Sequence, residues 1–83
     1  MKLSVKGLAL ASAILWASAL LFTGIGNLVW AGYGQAFLEA MSSVYPGYHV
    51  GTGFSGVVTG TLYALVDGGI AGAILAWLYN LFT

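Results

Sequence analysis

Two long apolar runs, each exceeding the roughly 20 residues that a helix needs to cross a bilayer, leave this chain few folds to adopt. The first extends from about Val5 to Ala31 and the second from about Ser55 to Phe82, and neither contains proline. Only 5% of the 83 residues are charged, where a soluble domain carries about 25%. Such a chain cannot cover a water-facing surface. The expected fold is an all-α integral membrane protein, one unit over residues 1–83, built as an antiparallel two-helix transmembrane hairpin. The start of the chain also has the pattern of a signal peptide, with Ala17-Ser18-Ala19 as a small-residue cleavage site. The apolar run continues past it through Leu28-Val29-Trp30, so this segment is expected to stay as a helix.

The connection between the runs has a pattern of its own. Over residues 34–45, Phe37, Leu38, Met41, Val44 and Tyr45 recur at helical spacing, and Glu39, Ser42 and Ser43 fill the other positions. That alternation predicts a short amphipathic helix lying in the membrane interface. Tyr45-Pro46-Gly47-Tyr48 ends it with turn residues. Trp30, Tyr33, Tyr45 and Tyr48 are expected to form one aromatic belt, and Trp77 and Tyr79 part of the other.

Asp67 stands near the middle of the second run. A carboxylate at the bilayer centre costs roughly 2.5–3.5 kcal/mol on insertion scales. The basic residues, Lys2 and Lys6, lie outside that run, as does His49. Asp67 is therefore read as a buried carboxylate at a helix–helix contact. In an antiparallel hairpin its depth matches that of Leu20, which makes the hydroxyls of Ser18 and Thr23 its candidate hydrogen-bond partners. Three states stay open: a protonated and hydrogen-bonded group, a pair with Lys or Arg from another protein, or a group lining a hydrated cavity.

The second run also carries a small residue at every fourth position: Gly56, Gly60, Ala64, Gly68, Gly72 and Ala76. Small residues at this spacing let helix backbones approach closely where lipid gives no hydrophobic drive. A four-residue step gains about 40° per repeat on a helix of 3.6 residues per turn. The stripe thus winds, and it is expected to serve helix one on one side and a neighbouring subunit on another. Ala9, Ala13 and Ala17 add the same spacing in helix one.

Other motifs carry little chemistry. Gly51-Thr52-Gly53-Phe54-Ser55-Gly56 matches a dinucleotide-binding pattern, which has meaning only after a strand in a βαβ unit. A lone His49 makes no metal site, and the chain has no cysteine. Asn27 and Asn80, near helix ends, are expected to cap or bridge helices. Zero formal net charge gives no reason to expect nucleic acid. No catalytic residue, cofactor or metal ligand is expected, and an enzyme is not. The two N-terminal lysines and the absence of Lys and Arg from the connection predict that both termini are cytoplasmic.

The run from Leu62 to Gly72, followed by Ala76-Trp77-Leu78-Tyr79-Asn80, resembles a family of small two-helix bacterial membrane proteins often described as bacteriophage holin-like. Residues 1–6 and the Tyr45–Tyr48 turn fit the same likeness, which covers nearly the whole chain. It implies a bacterial inner membrane protein. A mid-helix carboxylate in a short hairpin is also found in the proton-carrying ring subunit of rotary ATP synthases. That subunit has its glycine repeat in helix one and an Arg-Gln-Pro loop, and this chain has neither. The expected function is a non-enzymatic small membrane subunit that packs through its glycine/alanine stripe into a homo- or hetero-oligomeric assembly. Its expected partners are the lipid bilayer and other copies of itself or subunits of a larger complex. A holin-like pore former is the alternative, and a proton- or ion-conducting element centred on Asp67 the third reading.

Overall fold

The computed structural model describes residues 2–83, which form three helices: α1 (Val5–Val29), α2 (Gln35–Val44) and α3 (Phe54–Leu81). There is no strand among the described residues. Two of the helices, α1 and α3, are long and apolar enough to cross a membrane. Their ends follow local chemistry. Ser4 caps α1 by accepting the Gly7 N–H on its hydroxyl at 3.0 Å. Beyond Val29, Gly32 and Gly34 adopt positive φ, a conformation open to glycine that turns the chain into α2. The bounds fall within two residues of those expected from the apolar pattern.

α1 and α3 pack antiparallel. Gly72 lies against Leu8 and Ser12, Gly68 against Ser12 and Trp16, and Val57 against Gly24. At the terminal end Asn80 brackets Leu3: its amide oxygen accepts the Leu3 N–H at 2.7 Å, and its amide nitrogen donates to the Leu3 carbonyl at 2.9 Å. Lys2 Nζ donates to the Asn80 carbonyl at 3.0 Å. At the other end the Asn27 amide donates to the Tyr33 carbonyl at 2.9 Å and to Gln35 Oε1 at 3.0 Å. Both asparagines bridge segments, as expected.

All six small residues of the α3 stripe are buried within this one chain. The stripe winds, and within the chain it meets two different elements. Its lower half faces α1, and its upper half faces the connection: Gly60 lies under the Tyr48 ring and Gly56 against His49 and Thr52. The contact at α1 is close. A methyl placed on Gly68 would stand 2.6 Å from the Ser12 carbonyl oxygen, and one on Gly72 would stand 2.7 Å from that of Leu8.

The connection departs from expectation. It does not lie apart from the hairpin at one end; it folds back along the flank toward the midpoint of α1 and α3. Leu38, Tyr45 and Tyr48 join Ala17, Leu20 and Ala64 in a single buried cluster. Phe37 meets Trp16 edge-on, with ring centroids 5.8 Å apart. Tyr45 and Tyr48 are each only 4% exposed, so they belong to the core and not to an aromatic belt. The amphipathic pattern of α2 is real, but its apolar face meets the hairpin, and Glu39 and Ser43 stay exposed.

The close approach predicts a contrast between adjacent glycines. Gly68→Ala should destabilise the fold by about 1–3 kcal/mol, because backbone has to move to admit the methyl. Gly69→Ala should be tolerated, since its methyl would rest 3.6 Å from Ala13 Cβ. Thermal unfolding of both variants in one detergent checks this, and equal losses would contradict it.

Candidate functional site

Asp67 lies near the midpoint of α3, and its hydrogen bond comes from the connection. The Tyr45 hydroxyl donates to Asp67 Oδ2 at 2.8 Å, while the Trp16 indole N–H donates to the Tyr45 oxygen at 2.8 Å. This joins α1, the connection and α3 in one chain of donors. Ser18 and Thr23, the expected partners, are not the ones that reach Asp67. Thr23 instead touches Gly34 at the start of α2.

Tyr45 is fixed from several sides. Its ring stacks on Tyr63, with centroids 5.1 Å apart and planes 9° apart. The Tyr63 hydroxyl in turn donates to the Pro46 carbonyl. The Pro46-Gly47 turn, with Gly47 at positive φ, aims Tyr45 and Tyr48 back toward the helices. Burial pushes the Tyr45 phenol above its ordinary value of 10.0, the Trp16 donor opposes that, and Asp67 adds to it.

Asp67 itself is not buried. It is exposed on the outer face of the hairpin. It lines an open groove of about 210 Å³ together with Ser12, Trp16, Gly68 and Ala71. The contact that holds it is a side contact with Tyr45, and the rest of the carboxylate faces outward. Positive charge is distant: Lys6 lies about 15 Å along α1 from Trp16 at 1.5 Å per residue. A second groove, of about 370 Å³, runs along the outer face of α3 past Thr59, Leu62, Tyr63 and Val66.

The remaining polar residues form separate structural networks. Gln35 Nε2 donates to Glu39 Oε1 at 2.9 Å, continuing the bridge from Asn27. His49 is exposed, and its carbonyl accepts the Thr52 hydroxyl at 2.7 Å. Gly51 and Gly53, of the dinucleotide-like pattern, take positive φ in the turn that opens α3. No group of three or more His, Asp or Glu side chains gathers among the described residues.

Comparison with family models, with curated proteins and with solved structures gives no match. The site therefore has to be read from its own geometry.

Sequence reasoning missed Tyr45 and Trp16 as partners of the carboxylate. One signal was present. A Trp in the middle of an apolar helix needs an acceptor for its N–H, and Trp16 has no polar side chain of its own helix bonded to it.

Tyr45→Phe removes the hydroxyl that links Trp16 to Asp67. It should destabilise the fold by about 1–3 kcal/mol, since it leaves the indole N–H without its acceptor. Chemical or thermal unfolding in detergent measures the loss, and an unchanged midpoint would show that the link is dispensable.

Proposed function

We propose that this chain is a small non-enzymatic membrane subunit that joins a homo- or hetero-oligomeric assembly through the face that carries Asp67. The observation that supports this is the exposure of that carboxylate at mid-hairpin. With α1 and α3 set across a bilayer, Asp67 would meet lipid tails near the centre. An ionisable group there almost always faces a partner or a wet cavity. Tyr45 covers only part of it. Another protein surface has to cover the rest.

The glycine stripe cannot supply that surface, because it is buried in the chain's own packing. The assembly face is instead the groove beside Asp67, floored by Gly68 and bordered by the exposed Ala71. Small residues at a contact admit a helix closely. In this setting the connection is re-entrant. Non-helical backbone at membrane depth is tolerated where protein covers it, and the burial of Tyr45 and Tyr48 agrees with that.

Ala71→Trp tests the face without entering the hairpin's interior. The parent chain, extracted in mild detergent together with its neighbours from the membrane of its native cell, should run as a complex well above its 8.6 kDa mass. The variant should fold with the same helix content yet lose that complex. A parent chain that is a monomer in every mild detergent, or a variant that assembles normally, would refute the reading.

The lysines support cytoplasmic termini in a bacterial inner membrane. The pairing of Leu3 with Asn80 keeps both ends on one side. The chain has no cysteine, so single reporters can be read cleanly. His49→Cys should react with an impermeant thiol reagent in intact cells, and Thr83→Cys should react only after lysis. The opposite pattern would invert the topology.

A further inference from the structure

We propose that the groove beside Asp67 receives a basic side chain, Arg or Lys, carried near the middle of a transmembrane helix of a different polypeptide. This deepens the assembly reading above and rests on it. The polarity of the hydrogen-bond chain is the first observation. An indole N–H can only donate, so Trp16 takes an acceptor position on the Tyr45 oxygen and the Tyr45 proton goes to Asp67 Oδ2. Oδ2 is thereby served from within the chain. Oδ1 accepts no hydrogen bond among the described residues, and Asp67 lines an open groove.

The second observation is what surrounds that oxygen. Ser12, Trp16, Gly68 and Ala71 line the groove beside Asp67, and its surface is almost wholly apolar. An ionised carboxylate at the rim attracts a cation by charge, and the apolar lining suits the aliphatic stem of Lys or Arg. In the low dielectric of a bilayer interior the charge term is stronger than in water. The small residues leave room for the stem of a long side chain and for the helix that carries it.

The third observation rules out this chain's own cations. Lys2 is held at the terminal end by Asn80. Lys6 lies about 15 Å along the axis from the level of Trp16. A second copy at the same depth in the membrane would bring its lysines to the same level as these, not to the groove. A lipid tail would leave Oδ1 without a polar contact. Charge complementarity therefore selects a foreign helix with one mid-span basic residue.

The probe is a synthetic leucine-rich transmembrane peptide with a single central Lys, alongside a twin with Leu at that position. The full chain is reconstituted with each peptide in phosphatidylcholine vesicles, and association is read by energy transfer. The lysine peptide should bind at least about tenfold more tightly than its twin, equivalent to about 1.4 kcal/mol. Asp67→Asn should abolish that preference. Its amide oxygen can still accept from Tyr45, and an unchanged melting temperature will show that the variant is folded. Equal binding of the two peptides, or a preference that survives Asp67→Asn, overturns the proposal. If the chain forms its own complexes but ignores the lysine peptide, the assembly reading stands and the partner chemistry falls. If Asp67→Asn dissolves those self-complexes, a second copy is the occupant and the proposal is likewise overturned.

Discussion

The close approach of α1 and α3 sets the terms for everything else in this structure. α1 and α3 are long and apolar enough to cross a membrane, and lipid would offer two such helices no hydrophobic reason to adhere, so contact would have to come from shape. Gly68 and Gly72 bring α3 within van der Waals reach of the Ser12 and Leu8 carbonyls. A narrow seam follows, and a narrow seam has consequences on either side of it. Trp16 is pushed to the flank, where its indole can reach the connection. The upper half of the stripe, having wound away from α1, offers a shallow floor on which Tyr48 can lie. One repeat in the sequence thus creates two different seats, one for a helix and one for a folded-back segment.

That folded-back segment changes the meaning of the carboxylate. Without it, Asp67 would be a charge on the side of a helix with no companion. With it, the group is anchored by Tyr45, which is itself stacked on Tyr63 and bonded by Trp16. The anchoring is lopsided. One oxygen is engaged from inside the molecule, and the other half of the group lies at the surface beside an open groove. The group is held from within by Tyr45 and exposed on its outer side, and the proposed assembly role rests on that asymmetry.

Much of the architecture was legible in the sequence, and the reasons are local. Apolar length marked α1 and α3, the helical spacing of Phe37, Leu38, Met41 and Val44 marked α2, and the Tyr45–Tyr48 turn marked its end. The four-residue stripe was read as a packing surface whose winding pointed to helix one and a neighbouring subunit; within the chain its residues are buried against α1 and the connection. What failed was non-local. An amphipathic helix beside a membrane span has the same pattern whether its apolar face meets lipid or its own hairpin, so α2 was assigned to the interface. Tyr45 then counted as a belt residue, when it crosses to Asp67. Depth matching on α1 pointed to Ser18 and Thr23, because it considered only two elements where three contribute to the site.

The asparagine clasp at the terminal end has a mechanical meaning. Leu3 and Asn80 are joined by two hydrogen bonds, Asn27 ties α1 to α2 at the opposite end, and the glycine contacts lock the middle. Register between α1 and α3 is thus pinned at several heights. A helix pair fastened this way resists piston-like sliding of one rod past the other. A displacement applied to one end of the pair is therefore carried as a tilt of the whole hairpin. The connection moves with the pair, because Leu38, Tyr45 and Tyr48 are part of the same buried cluster.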